Sequence, residues 1–503
     1  MNMAWRYWDI RYLAVIASLL LSGLSALNAS LPNDDAYTYL RTAEIFLNDG
    51  IGAAISHYTW AGYPILIGIT SLTGLSLLQA AYTLNAIFYA LLVFSYISIV
   101  RQIDNSKLTA YLGALTVLAY PELNEYRDMV IRDIGYWSLC LFAIWRFMIY
   151  RDSRQFSALA TFVIVMIAAA LFRAEALIYL VAIPLVLLLD RRFTTTENQL
   201  AVWKALGFTA IISALGILAA RTVGINIPTM LLKLLAVYEP FLAQWSAPTE
   251  ITLAAQAKAI FGDFSALIAS DYLHTAVLLG LPIILVTSLF YTIGGPYFWL
   301  LVFGAVRGML RWDVEQIRPL FVVALVNFLI TLGFLYLTRF LTGRYAMMFG
   351  IMVSIMVPVL WQEILTRFRS PDSVRALRLL FIVFFSYCMI DAYVTFGRSK
   401  DWLIDSASFA RTATPDGAQI LTNNHTIAYL SDRVTEYDEV TRELRSSDIL
   451  KLPPGTLIAL ELIPEIRQLV NQETVQAQIK LLAAFPDTDE PQAAIYERVS
   501  PQN

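Results

Sequence analysis

The sequence predicts a polytopic α-helical membrane protein that ends in a small α/β domain. Three observations predict it. Only 15% of the 503 residues are charged, against about a quarter in soluble domains. Apolar runs of membrane-crossing character recur through the first 396 residues. Beyond 397 they stop, and short alternating runs of strand type take over.

The apolar runs lie near 12–29, 65–78, 80–100, 108–120, 134–150, 157–171, 175–189, 205–220, 275–292, 296–310, 319–338, 345–365 and 376–396. Taken together they give about 11 to 13 spans, with 65–78 and 108–120 short enough to be interfacial. The first run carries Arg6 and Arg11 ahead of it and ends in "ALNAS", which also fits a secretory signal; a retained first helix is the favoured reading. In the tail, "GAQILTNN", "GTLIALELI", "TVQAQIKLLAAF" and "QAAIYERVS" alternate strand-like and helical patterns. They predict an α/β domain over 397–503, following a transmembrane domain over 1–396.

Basic residues set the orientation. Arg101, Lys107, Arg146, Arg151, Arg154, Arg191, Arg192, Lys204, Arg367, Arg369, Arg375 and Arg378 crowd short connections, which the positive-inside rule assigns to the cytoplasm. Loops 30–62, 121–132 and 222–274 and the tail domain then face outward, in a bacterial plasma membrane by the resemblance given below. Cys140 and Cys388 both fall in apolar runs, and His57, His274 and His425 are far apart. That pattern offers no disulfide framework and no multi-histidine metal site. No Gly-rich phosphate loop and no basic, aromatic-interleaved patch is present, so neither a nucleotide-driven pump nor a nucleic-acid partner is indicated.

The first external loop, "SLPNDDAYTYLRTAEIFLNDG" (30–50), sets Asn33, Asp34 and Asp35 side by side. A helix cap needs one such residue; three in a row call for something more. Six arginines also fall at outer span ends: Arg127, Arg132, Arg173, Arg221, Arg339 and Arg344. Anchoring or pairing with carboxylates accounts for any one of them. As a group from separate loops they suit an anionic ligand, because the guanidinium fork pairs with phosphate. Glu44, Glu122, Glu125, Asp128 and Asp133 lie on the same side. A carboxylate can deprotonate an acceptor, while arginines, or a metal ion, stabilise a departing phosphate.

At these residues the chain resembles the GT-C fold membrane glycosyltransferases, and more narrowly the bacterial relatives of protein O-mannosyltransferases and of the lipid A aminoarabinose transferase. The spacing from Asp35 through Tyr39 and Ala43 to Gly50 resembles their first external loop. "HYTWAGYPILIGI" (57–69) is similar to their return into the membrane, and "YPELNEYRDMVIRDIGYWSLCLF" (120–142) to their second loop. "FRAEALIYLVAIPLVLLL" (172–189) and "TRFLTGRYAMMFGIMVSIMVPVL" (338–360) resemble two later span entries. The resemblance implies inverting transfer of a sugar from a polyprenyl-phosphate donor to a lipid, glycan or protein acceptor outside the membrane. Asp35 matches the catalytic acid, with Asp34 in support and Asp133 (or Asp128) matching the acid of the second loop. Ala36 stands where the family often has Glu, a departure that bears on any metal role; a divalent metal ion is the one cofactor kept open.

For the donor phosphate the first choice is Arg344, followed by Arg173, Arg132 and Arg127. Tyr39, His57, Tyr345 and Glu239 are candidate substrate contacts, and Tyr238 and Trp245 suit sugar stacking or an interfacial belt equally. Two rival readings stay open. A transporter or flippase for a lipid-linked sugar would bury charges near the bilayer midplane, often in repeated halves. A polysaccharide polymerase or ligase would concentrate function in one large middle or late loop.

Overall fold

The computed structural model describes residues 9–500 apart from 30, 223, 237, 247–249, 265, 312–314, 369, 370, 395–399, 487 and 488. The side chains of 234, 235, 244–246, 250–253, 266, 267, 274 and 371–374 are also outside the description, so Trp245 and the expected boundary near 396 lie beyond it. The protein is a multi-pass helical membrane protein. Among the described residues, seven helices are long and apolar enough to cross a bilayer: Ile10–Asn28, Leu77–Ile103, Thr195–Thr222, Thr275–Ile293, Ile317–Thr338, Gly343–Arg367 and Arg375–Tyr393. Shorter apolar helices cover Gly62–Ser71, Lys107–Leu118, Phe156–Ala170, Glu175–Leu189 and Gly295–Val306.

Local chemistry explains where the runs break. The 175–189 run is α-helical to Ala182 and continues as a 3-10 turn from Pro184, since proline cannot donate to the helix ladder. Gly343–Ser354 and Met356–Arg367 meet at Ile355, where Pro358 leaves the Ser354 carbonyl without its i+4 donor. The expected run at 65–78 yields only Gly62–Ser71, about 15 Å of helix. Loop 222–274 is itself helical: Ile227–Ala236, Glu239–Ser246 and Glu250–Phe261.

The chain divides into two compact units: Met1–Gly23, Thr83–Arg127 and Arg132–Val394 in one, Leu24–Tyr82, Asp128–Ile131 and Thr395–Asn503 in the other. This differs from the division at 396 drawn on hydrophobicity, which kept the first loop with the spans. In the first unit the interior is rich in buried aromatics, and several of their hydroxyls find backbone acceptors. Tyr89 donates to the Leu123 carbonyl at 2.6 Å, Tyr297 to Thr116 at 2.8 Å, and Tyr120 to Thr292. Gly350 allows one of these approaches, for a Cβ there would lie 2.3 Å from the Thr292 oxygen.

In the second unit four strands form one sheet: β1 (Leu421–Thr422), β2 (Leu457–Glu461), β3 (Ile479–Phe485) and β4 (Ala493–Arg498). The order is β1-β2-β4-β3; β1 runs parallel to β2 and the other pairs are antiparallel. Alternation along β2 sends Ile458 and Leu460 to one face and Leu457 and Ala459 to the other. The first pair packs with Ile466, Leu469 and Val475, the second with Leu403, Ala407, Ala410 and Leu31. Both faces of β2 are therefore covered, which accounts for its strongly apolar pattern, while β3 leaves Leu481 and Leu482 exposed.

Candidate functional site

In the first unit, charge gathers where helices begin. Asp133 opens the helix Asp133–Ser153, and Arg132 is its N-cap residue. Arg344 is the second residue of Gly343–Ser354. Arg173 lies in the link between Phe156–Ala170 and Glu175–Ala182. Asp133 is 2% exposed and ion-paired with Arg173. The other side of the Arg173 guanidinium grips one Glu175 oxygen, through Nε at 3.0 Å and Nη2 at 2.5 Å. The charges of Arg132 and Arg344 also act on the Asp133 carboxylate. Tyr345 lies beneath two of these cations, its ring centre 4.4 Å from Arg173 and 5.5 Å from Arg344. Half-buried Tyr238 is within the field of Arg173, Arg132, Glu175 and Tyr345. Three of the four candidate phosphate arginines thus converge.

Arg127 does not join them. It is 2% exposed and held by neutral groups: Ser18 Oγ and carbonyl at 3.1 Å each, Ser22 Oγ at 2.5 Å and Asn124 Oδ1 at 2.7 Å. Its guanidinium stacks on Tyr89 at 4.1 Å. This arginine fastens the first helix to the second loop. Arg221 is exposed in the last turn of Thr195–Thr222, and Arg339 ends Ile317–Thr338 in a left-handed conformation (φ 61°). Glu239 is exposed at the start of its helix.

Glu122, in the short helix Pro121–Asn124, is 9% exposed. Its Oε2 lacks a hydrogen-bond partner and occupies the space a Cβ on Gly294 would need. Burial, with Glu125 and Asp391 adding to it, pushes this carboxyl up to about 8.

In the second unit the helix Asp34–Asp49 carries the first-loop candidates. Asn33 precedes it as N-cap residue, yet its side chain makes no cap bond. Instead it brackets the Val130 backbone, accepting from N–H at 2.7 Å and donating to the carbonyl at 3.3 Å. Asp34 is exposed and pairs with Arg442 at 3.2 Å. Asp35 is half-buried on the next stripe, one turn before Tyr39, which packs edge-on against Tyr58 and Tyr63. Asp128, the second match to the second-loop acid, is half-buried, and burial raises its carboxyl. The Thr42 hydroxyl donates to the Thr38 carbonyl at 2.6 Å, so its oxygen accepts from His57 Nδ1 at 3.0 Å. His57 Nε2 faces the Asp438 carboxylate at 3.1 Å.

Sequence reasoning passed over Glu175 and Asp438. The Arg-x-Glu spacing at 173–175 carried the signal for the first; nothing local marks the second. Among the described residues no three His, Cys, Asp or Glu side chains gather closely enough to share a metal ion. Ala36 beside Asp35 leaves that position without a second carboxylate.

No protein-family model and no curated protein matches the sequence. Among solved structures, the chain is similar to the oligosaccharyltransferase of Archaeoglobus fulgidus, crystallised with Zn and sulfate. Identity is 13%, the TM-score 0.57, and the match covers 95% of this chain and 72% of that one. ArnT from Cupriavidus metallidurans is also similar, at 12% identity. Its apo form gives a TM-score of 0.42 over 98% of this chain and 99% of ArnT; with undecaprenyl phosphate bound the figures are 0.43 and 100% of both. The fold is that of the GT-C glycosyltransferases.

Proposed function

We propose that the protein is an inverting glycosyltransferase that moves a sugar from a polyprenyl-phosphate-linked donor to a lipid, glycan or protein acceptor on the extracytoplasmic face. The observation that carries the reading is the convergence of Arg132, Arg173 and Arg344 from three separate helix ends. Two of the three stand at helix N-termini, where the macrodipole already favours an anion.

Arg344, with Arg132, holds the donor phosphate. Arg173 is engaged by Asp133 and Glu175, so its task is to fix the Tyr345 ring and steady the cluster's field. Asp133 is then a positioning residue, not a base. Asp35 takes the proton from the acceptor hydroxyl or amine as that atom attacks the anomeric carbon. The bond from that carbon to the phosphate oxygen breaks on the opposite face, and its electron pair leaves with the phosphate. Guanidinium groups lower the cost of the charge that accumulates there. The flippase alternative expects its charges at the bilayer midplane; clustering at helix ends favours transfer.

Asp35→Asn is expected to cut turnover by about 10²–10⁴-fold, the usual contribution of a general base, with expression and thermal stability unchanged. Near-normal turnover rejects the assignment. Arg344→Ala should raise the donor KM more than Arg344→Lys, because lysine keeps charge but loses the fork. Equal, negligible effects remove Arg344 from the site.

A further inference from the structure

The helix Asp34–Asp49 presents two neighbouring stripes. Asp35, Tyr39 and Thr42 lie on one; Asp34, Tyr37 and Arg41 lie on the other, at the three- and four-residue spacing that aligns side chains on a helix. Every member of the second stripe is bound to the tail. Tyr37 is fully buried, its hydroxyl 2.8 Å from Thr426 Oγ1 and its ring stacked on His425. Arg41 forks onto Glu436, with Nη2 at 2.9 Å and Nε at 3.3 Å, and also pairs with Glu44. Asp34 pairs with Arg442. His57, on the following helix Ile51–His57, pairs with Asp438. Residues 436 and 442 thus supply two ion pairs, and residue 438 a carboxylate contact to His57, to the first loop within one short tail segment, and His425 Nδ1 ties that segment back to the Tyr437 carbonyl at 2.9 Å.

We propose that tail residues 436–442 form a positioning strap that sets the rotation of the first-loop helix and thereby the aim of Asp35. The inference rests on the reading of Asp35 as the base. A helix turns about 100° per residue, so a small roll about its axis carries Asp35 off its line while leaving the helix intact. Hydrophobic contact through Tyr37 fixes the distance between helix and tail. Directional ion pairs at 34 and 41 and the imidazole–carboxylate contact at 57 fix the roll, which apolar packing alone leaves soft. Glu436, Asp438 and Arg442 are therefore positioning residues. The tail is a working part of the catalytic loop, and not an appendage for an outside partner.

The test is the full-length chain in lipid nanodiscs carrying Glu436→Gln with Arg442→Gln, two half-exposed or exposed changes that leave the sheet's core alone. Amide exchange across 34–49 should rise roughly three- to tenfold, as loss of two exposed pairs permits. Turnover should fall by a comparable factor while the donor KM holds. Glu436→Asp with Arg442→Lys, which keeps both charges, should restore turnover. Faster exchange with unchanged kcat would reduce the strap to a structural contact, and no change in either overturns it. A matched loss in kcat and rise in donor KM overturns it as well. Asp35→Asn in the same assay separates the two readings: retained turnover there defeats the base assignment, while exchange across 34–49 reports on the strap independently.

Discussion

Glu122→Gln should flatten the pH dependence of stability. The wild-type carboxyl is 9% exposed, its Oε2 has no hydrogen-bond partner, and Gly294 lies against it. Removal from water is the main reason it holds its proton up to about 8, against an ordinary 4.5. The folded state then binds this proton more tightly than the unfolded chain. Its stabilising contribution is complete below about pH 4.5 and is lost as pH rises to about 8. At 1.36 kcal/mol per pH unit, the gap from 4.5 to about 8 corresponds to about 5 kcal/mol above pH 8 and about 3 at pH 7; residual solvent access brings the working range to about 2–4. Glutamine keeps the shape of the neutral acid and cannot ionise. Thermal unfolding followed by fluorescence-detected size exclusion between about pH 5 and pH 9 should show the wild type weakening with pH and the variant level. A variant curve that parallels the wild type refutes the reasoning, since another group would then own the titration.

Asp133→Asn should destabilise the protein, by less than the ~3–5 kcal/mol that a buried guanidinium with no counter-ion costs, because Glu175 still holds Arg173. Arg173→Met should cost less in the Asp133→Asn background than in the wild type, although it strands Glu175 in both; fully additive losses would show that the two do not act as a pair. Gly350→Ala should cost about 1–3 kcal/mol as overpacking, because the new Cβ would sit 2.3 Å from the Thr292 carbonyl and 2.7 Å from the Tyr120 hydroxyl. An unchanged melting midpoint would mean that this helix contact yields freely.

The spans were legible because bilayer thickness and helix rise leave little choice for a long apolar run. Arg173 and Asp133 stood out as charges in apolar surroundings. Arg127 looked the same in sequence, yet its partners are two serines some 105 to 109 residues earlier, and serines in an apolar helix announce nothing. Asn33 was one of the residues that could cap the first-loop helix; its side chain serves Val130 instead, a contact 97 residues away. The tail sheet showed itself through short strand-like apolar runs separated by a helical pattern. Its ion pairs to the first loop did not, since they join residues about 395 to 408 apart and carry no periodic signature.

Where local rules hold and where they fail divides the arginines into two kinds. Cations belong at helix C-termini, where the macrodipole is negative. Arg101, Arg151 and Arg367 obey, each in the last turn of its helix. Arg151 is further locked by Asp190 at 3.1 Å, and Asp190 takes Arg192 at 2.7 Å, so that end is a closed ionic clasp between short connections. Arg132 and Arg344 disobey, standing at helix N-termini beside the positive pole. Natural sequences break a local rule mainly where function repays the loss. An anion arriving at that point would feel two helix poles and the guanidinium groups together, which is what the proposed phosphate site requires. A phosphate that gains negative charge as its sugar departs gains most, so the same misplacement would favour the transition state over the bound donor.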